Sequence, residues 1–404
     1  RMICERNALG EEQKYTYDIY GNVVTVTDPN GNSIAYVYDA NNNCITRTDA
    51  AGQVYHFEYD KEDRLISTWT MTASAGEVRE SYSYDALGRT VKYTDAEGNT
   101  YKYTYDANGN VLTASDALGN VILNSTYDSV NQLVSSSDAL GNQSTCSYDL
   151  AGRVLSVAEN LNTDSEQNSA YTYDSLGRLS SVTDSAEGLS SYSYDTAGNV
   201  LSQTDPEGGT TTFTYDAANR LSSVADSLGN LKNYTYDKAG QLATKENARG
   251  DLANFTYDAA GQLTSMTDEL GTISYTYDKN GNLLTVTDES GTITREYDKR
   301  NLLVAYTDAA GNRIGYAYDE LGNLITLTYP DGTAVHYSYD KTGLLISMTD
   351  DQNRVTKYTY DANGNLIQTL RPDGSTETIV RDKAGKMLSK KDVGSDGVIY
   401  EATY

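Results

Sequence analysis

The stretch Tyr103-Thr-Tyr-Asp-Ala-Asn-Gly-Asn-Val-Leu-Thr-Ala-Ser-Asp-Ala-Leu-Gly-Asn120 contains the pattern on which the whole chain is built. It holds two Asp-x-x-Gly tetrapeptides, residues 106–109 and 116–119, half a repeat apart. An aspartate that opens a type I turn accepts a hydrogen bond from the backbone two residues on, and a following residue with positive φ reverses the chain into a bulged hairpin. Each half of the unit therefore predicts one short strand and one turn.

The unit recurs along the entire sequence. Seventeen Tyr-Asp dipeptides follow one another at intervals of 20 to 25 residues, and an eighteenth unit has Arg381 in the tyrosine position. A period of this length indicates a small supersecondary unit that cannot bury its apolar face without its neighbours. We therefore interpret residues 1–404 as a single array, and the site residues that we single out are structural motif positions: Tyr17, Asp18, Gly21, Tyr105, Asp106, Gly109, Tyr277, Asp278, Gly281, Tyr360, Asp361 and Gly364.

The third residue after each repeat aspartate supports the turn interpretation. It is glycine in thirteen units, asparagine in four and Asp63 in one. Asparagine and aspartate tolerate the left-handed backbone region better than other residues with a side chain. The substitution pattern therefore predicts a positive φ at all eighteen positions.

Between the turns the sequence is typical of β-strands. The positions one and three residues before the repeat aspartate share one face of a strand, and in most units both are aromatic, as in Tyr15/Tyr17 and Phe255/Tyr257. Stacked repeats would form aromatic ladders. Only three of the aromatic residues are phenylalanine whereas 36 are tyrosine, which indicates positions where a hydroxyl reaches water or a polar partner. We predict an all-β antiparallel meander of hairpins without a helix of consequence.

The charge excludes some function classes. A formal charge of −26 argues against a surface for nucleic acids or anionic membranes, because both are polyanions. No apolar stretch approaches the roughly 18 residues that a membrane-spanning helix needs. The acidity serves either solubility and resistance to edge-to-edge association or the attraction of a basic cargo.

Residues that could carry chemistry are few. His56 and His336 occupy the same strand position in two different units, four residues before an aspartate. They are therefore variants of one repeat position and do not form a catalytic pair. Cys44 and Cys146 stand in apolar or aromatic positions, which favours buried use over a nucleophile, a zinc site or a disulfide. Each turn offers one or two carboxylates, whereas Ca²⁺ binds about six to eight oxygens. We expect no catalytic residue, metal or cofactor.

The ends and insertions of the array give further expectations. Residues 7–10 and 401–404 both lie inside a repeat, so we expect the chain to be a fragment cut within a repeat at both ends, and the absence of a signal peptide then carries no information on secretion. Two units have intervals of 25 residues, with insertions around Trp69–Glu77 and Asn160–Asn168. We interpret both as loop expansions, which are either binding loops or, as the preferred account, hairpins of irregular length.

The tandem Tyr-Asp-x-x-Gly-[Asn/Arg]-[Leu/Val] motif resembles the YD repeat of RHS-repeat proteins over essentially the whole chain. This group includes bacterial polymorphic toxins, insecticidal toxin-complex subunits, wall-associated proteins and the animal teneurins. The resemblance implies a strip of β-hairpins that spirals into a shell or solenoid, in many members hollow and enclosing a C-terminal toxin. Residues 28–31 and 205–208 match the letters of the family's Asp-Pro-x-Gly cleavage motif but occupy ordinary second-turn positions, so no autoproteolytic aspartate is carried over.

Three functions follow as alternatives. The preferred one is a non-enzymatic scaffold of a larger secreted or cell-surface protein that encloses or displays a C-terminal toxin domain of the same polypeptide. The second is an extracellular stalk that binds cell-surface glycans or proteins, as on the teneurin side of the family. A hydrolase is the third and weakest alternative.

Overall fold

The computed structural model describes residues 1–161 and 166–404, and the regular secondary structure in these ranges consists of β-strands. The predicted all-β class is therefore confirmed. Within these ranges no helix is long and apolar enough to cross a membrane. The insertion expected around Asn160–Asn168 falls partly outside the described residues. The other insertion is a lengthened hairpin, in agreement with the preferred account, because the strands Leu65–Thr72 and Gly76–Tyr84 pair from Ser67 with Ser81 to Thr72 with Gly76.

The chain divides into two compact units, and the first comprises residues 1–122 and 275–404. Its first segment contains the strands β1 Cys4–Arg6, β2 Glu12–Tyr17, β3 Val23–Thr27, β4 Ser33–Tyr38, β5 Cys44–Thr48, β6 Val54–Tyr59, β7 Leu65–Thr72, β8 Gly76–Tyr84, β9 Thr90–Thr94, β10 Thr100–Tyr105 and β11 Val111–Ser115. Its second segment contains β27 Leu283–Asp288, β28 Gly291–Tyr297, β29 Leu303–Thr307, β30 Arg313–Tyr318, β31 Leu324–Thr328, β32 Ala334–Tyr339, β33 Leu345–Thr349, β34 Val355–Tyr360, β35 Leu366–Leu370, β36 Thr376–Arg381, β37 Met387–Gly394 and β38 Gly397–Thr403.

The second unit comprises residues 123–274. Its strands are β13 Leu133–Ser137, β14 Gln143–Tyr148, β15 Val154–Leu161, β16 Gln167–Tyr173, β17 Leu179–Thr183, β18 Leu189–Tyr194, β19 Val200–Thr204, β20 Thr210–Tyr215, β21 Leu221–Ala225, β22 Leu231–Tyr236, β23 Leu242–Glu246, β24 Leu252–Tyr257 and β25 Leu263–Asp268. The strands β12 Val121–Tyr127 and β26 Gly271–Tyr277 cross the boundaries between the units.

Strands pair antiparallel with their neighbours in chain order, as the hairpin prediction requires. The register in β2–β3 shifts between Thr16 and Tyr17, and the same shift precedes the motif tyrosine in the later units, for example at Thr359 and Tyr360. This is the predicted bulge, which leaves one extra residue, Val24 in the first repeat, on the strand after the first turn. The second turn joins β3 to β4 with an unshifted register from Thr25 with Ala35 to Thr27 with Ser33.

The described residues have little fully buried apolar surface. The buried apolar residues among them are Ala114 and Ala305, and no large side chain there is completely buried. Most motif tyrosines and leucines are half-buried instead. Stability must therefore come from many partly covered side chains and from hydrogen bonds within and between repeats, in the manner of a repeat array.

Candidate functional surface formed by the repeated turns

Each repeat has a first turn, opened by the motif aspartate, and a second turn about ten residues later. In the first turn of the first repeat, the amide of Gly21 donates to the Asp18 carbonyl at 3.3 Å. The carboxylate oxygen Oδ1 of Asp18 accepts from the amides of Tyr20 and Asn22, both at 2.9 Å. Its Oδ2 accepts from the side-chain amide of Asn22 at 2.9 Å. The predicted aspartate cap is therefore present, and it extends to the fourth residue after the aspartate.

The left-handed positions agree with the substitution pattern in all eighteen units. Gly109 has a φ of 96° and Gly364 a φ of 78°, while Asn42, which replaces a glycine, has 69°. Asp63, the one aspartate in the set, has a φ of 58°. The glycine and asparagine positions are thus a backbone requirement of the turn.

The motif tyrosine joins each repeat to the one before it. The hydroxyl of Tyr105 donates to the Thr90 carbonyl at 2.7 Å, and that of Tyr360 donates to the Leu345 carbonyl at 2.9 Å. In residues 1–161 and 166–404 the corresponding bond is present in at least fourteen units, which confirms the polar partner expected from the excess of tyrosine over phenylalanine. A short run of aromatic contacts is present at Tyr82, Tyr93 and Tyr101, with ring centres 5.4 and 5.8 Å apart, whereas the link that recurs from repeat to repeat is the hydroxyl bond. Burial raises the pKa of Tyr105.

The residue four positions after the motif aspartate has a role that we did not predict. Where it is arginine, it clamps its own aspartate and reaches the next repeat. Arg89 donates from Nε to Asp85 Oδ2 at 2.7 Å and from Nη1 to the Asp106 carbonyl at 2.6 Å, and its guanidinium lies 4.7 Å from the ring centre of Tyr105. These bonds to the Arg89 side chain and amide lower the pKa of Asp85. The alternation of Asn and Arg in the motif was the available signal, because both can donate to a carboxylate.

Within the first unit, turns from its two segments meet along a line that we call the seam. The seam joins the second turns of residues 28–119 to the first turns of residues 278–364. Asn280 donates from Nδ2 to Asp28 Oδ2 at 2.6 Å, and Asn30 donates in return to Asp278 Oδ2 at 2.9 Å. Further along, Asn363 donates to Asp116 Oδ2 at 2.7 Å.

Exposure shows which turns the seam covers. In the second turns of the seam, the residue that follows the opening aspartate is half-buried, as at Pro29 and Ala117. The corresponding residues of the later second turns, Glu289 and Pro372, are exposed. A cavity of about 560 Å³ lies along the seam, lined by carboxylates and tyrosines that include Asp95, Glu97, Asp340, Tyr101 and Tyr358.

The four motif sets that we singled out do not form one site. Each set builds a separate first turn. In the first set, Tyr17 ends a strand, and Asp18 and Gly21 form the turn that follows it. Asp278 is brought to the turn of Asp28, and the turn of Asp361 is brought to that of Asp116 by Asn363. The seam residues were not predicted, because their contacts join positions about 247 residues apart.

The other candidate residues have structural surroundings. The ring of His56 stacks on Trp69 with the ring centres 3.8 Å apart, while Nδ1 of His336 lies 3.2 Å from the Thr326 hydroxyl. Cys44 and Cys146 are free and half-buried, and burial raises the pKa of the Cys44 thiol. In residues 1–161 and 166–404 no three His, Cys, Asp or Glu side chains are grouped as metal ligands would be.

Two protein-family profiles match the sequence. The sequence profile described as Teneurin YD-shell matches residues 138–294 and 249–384, and that described as RHS Repeat matches residues 38–78 and 84–121. The chain belongs to the YD-shell family. No curated protein sequence matches it. The YD-shell chain is therefore a structural repeat array, and the resemblance inferred from the motif is confirmed.

Solved structures with a similar fold include TcdB2-TccC3 proteins and a Tc holotoxin pore. A crystal structure of TcdB2-TccC3-TEV is 17% identical, with a TM-score of 0.60 over 97% of this chain and 28% of that chain. A Photorhabdus luminescens Tc holotoxin pore carrying a TccC3 mutation is 17% identical, with a TM-score of 0.57 over 97% of this chain and 26% of that one. The YD-shell chain thus spans about a quarter of the length of these proteins and shares their fold.

Proposed function

We propose that residues 1–404 form one YD-repeat array that serves as a non-enzymatic scaffold. The observation that carries this proposal is the use of the motif side chains. The tyrosine hydroxyls, the aspartate carboxylates and the Asn or Arg four residues later all bond to other parts of the array. Groups committed in this way hold repeats together and are not available for acid–base or nucleophilic chemistry.

The scaffold encloses or displays a C-terminal toxin domain of the same polypeptide, outside residues 1–404. Support comes from the fold shared with a Tc holotoxin pore and with a TcdB2-TccC3 structure described as lacking a hypervariable C-terminal region, which is 19% identical with a TM-score of 0.58. The charge of −26 suits a basic cargo, whose attraction weakens with salt. Neither nucleic acid nor a membrane is a partner in this proposal, and the protein acts in the secreted state or at the cell surface.

The test is protease protection of the C-terminal domain in the full-length protein, compared with a variant that lacks the array. The proposal expects digestion of that domain to be much slower with the array present, and its release from a nicked protein to be faster at high salt. Equal digestion rates in the two proteins would contradict enclosure.

The match to the Teneurin YD-shell profile favours one further candidate, an extracellular stalk that binds cell-surface glycans or proteins. This alternative predicts that the array alone binds a glycan panel or intact cells. It also predicts that removal of the array leaves the protease sensitivity of the C-terminal domain unchanged.

A further inference from the structure

The seam connects repeats at a constant separation. Asp28 belongs to the first repeat and contacts the first turn of the thirteenth repeat, which Asp278 opens. Asp116 belongs to the fifth repeat and contacts the first turn of the seventeenth repeat. We propose that the side chains of the seam determine which turns pair with each other. Asparagine and charged residues of the first turns select the second turns that lie twelve repeats earlier in the chain. This inference concerns the array itself and does not depend on a cargo.

Asparagine at the third position of a first turn provides a two-way contact. Asn363 donates from Nδ2 to Asp116 Oδ2 at 2.7 Å, and its Oδ1 accepts from the Ala117 amide at 2.9 Å. Asn280 makes the same pair of bonds with Asp28 and the Asn30 amide, at 2.6 and 3.2 Å. A carboxamide carries both a donor and an acceptor, so it can satisfy a turn that offers a carboxylate and an adjacent N–H. Aspartate cannot, because it has no donor when ionised.

Lysine at the second position of the first turns is concentrated in the last eight repeats, and it occurs in three of the five seam turns. In the first ten repeats this position is lysine only at Lys61, whereas in the last eight it is lysine five times. Three of these lysines, Lys279, Lys299 and Lys341, belong to the seam turns. Lys279 lines a groove with Glu11, Glu12 and Asp28, and the amide of Lys341 donates to Glu97 Oε1 at 2.8 Å.

Two seam turns, those with Glu320 and Ala362, lack the lysine, and the partner of the Glu320 turn also lacks the aspartate. Glu320 stands where its neighbours have lysine, and it meets the lengthened β7–β8 hairpin, whose tip at residues 73–75 has no carboxylate. The Ala73 amide points to Glu320 Oε1 at 3.4 Å. A slip by one repeat would place Glu320 against an aspartate-bearing second turn and a lysine against the hairpin tip. The Glu320 carboxylate would then lie beside another carboxylate, and repulsion between these like charges disfavours the slipped register.

The experiment uses the full chain and amide hydrogen exchange across the seam. Asn363→Asp removes the donor and brings two carboxylates together, so exchange of the Ala117 amide should become about tenfold faster through local opening. The matched control is Asn108→Asp, which changes the same pentapeptide, Asp-Ala-Asn-Gly-Asn, in an exposed first turn of residues 106–110. The control should leave the Ala117 amide protected.

A second pair of variants tests the charge pattern. The triple change Lys279→Glu, Lys299→Glu and Lys341→Glu should expose the backbone amides of Asn30 and of position 341, whereas Lys61→Glu should not. The double variant Asn363→Asp with Asp116→Asn restores one donor and one acceptor and should recover protection of the Ala117 amide. Circular dichroism reports whether each variant remains folded. Equal exchange in the Asn363 and Asn108 variants, or no recovery in the folded double variant, would overturn the proposal.

Discussion

At the scale of single residues, the array depends on a backbone conformation that few side chains accept. Gly109 lies at a φ of 96°, and a Cβ built there meets no atom within 4 Å. The requirement for glycine at this position therefore comes from the backbone and not from crowding. Gly364 is similar, because its nearest neighbour would be Leu344 Cδ1 at an ordinary 3.5 Å.

Replacement of these glycines separates backbone strain from packing. Gly109→Val should lower the free energy of unfolding by about 1–3 kcal/mol, since a β-branched residue is strained in the left-handed region. Gly109→Asn should cost much less, as the natural asparagine at position 42 indicates. Urea denaturation measures both. Equal losses for valine and asparagine would show that the turn does not need a left-handed residue.

At the scale of the hairpin, arginine and asparagine differ in how they connect neighbours. Both clamp their own aspartate. Arg89 also bonds to the Asp106 carbonyl and lies over Tyr105, whereas Asn22 bonds to the side chain of Asn42 in the next first turn. Arg89→Asn should preserve the first turn and lose about 1 kcal/mol of coupling to the next repeat. Hydrogen exchange of the Asp106 turn should therefore rise more than that of the Asp85 turn. An equal rise in both turns would argue against the coupling.

The turn carboxylates make hairpin stability dependent on pH. The folded-state pKa of Asp85 lies below its ordinary value because of the Arg89 side chain and amide. Its stabilising contribution is therefore complete above the unfolded pKa of about 3.9 and is lost as pH falls through the lower folded-state pKa. The urea midpoint should be flat near neutrality and fall in acid, and Asp85→Asn should reduce that fall. An acid response unchanged in Asp85→Asn would contradict this cause.

The hairpins were predictable from sequence, whereas the contacts between distant repeats were not. Residues such as Asn42 and Asp63 indicate a positive φ at their own position, and the Tyr-Asp period indicates a strand with a bulge. The φ and the bulge were predictable because each depends on neighbours within a few residues. The tyrosine hydroxyl bond was anticipated only as an unspecified polar partner. The seam joins Asp116 to Asn363, and only the path of the intervening chain decides that these two turns meet.

At the scale of the whole molecule, neighbouring repeats supply most of the stability. A shortened chain loses an interface with each repeat that is removed, so stability should rise with the number of repeats retained. Truncation to about three or four repeats should leave a weakly folded or aggregating chain. Circular dichroism and urea denaturation of stepwise truncations measure this trend. Cooperative folding of one isolated repeat would contradict it.

The shortage of fully buried apolar side chains has a consequence for how the protein responds to temperature. Only Ala114 and Ala305 form the fully buried apolar set in the described residues. The heat capacity of unfolding grows with the apolar surface that becomes hydrated, and it is about 12–15 cal/mol/K per residue in ordinary globular proteins. We expect a smaller value per residue here, and scanning calorimetry measures it. The stability curve would then be broad and shallow, so that cooling and moderate heating change the folded population little.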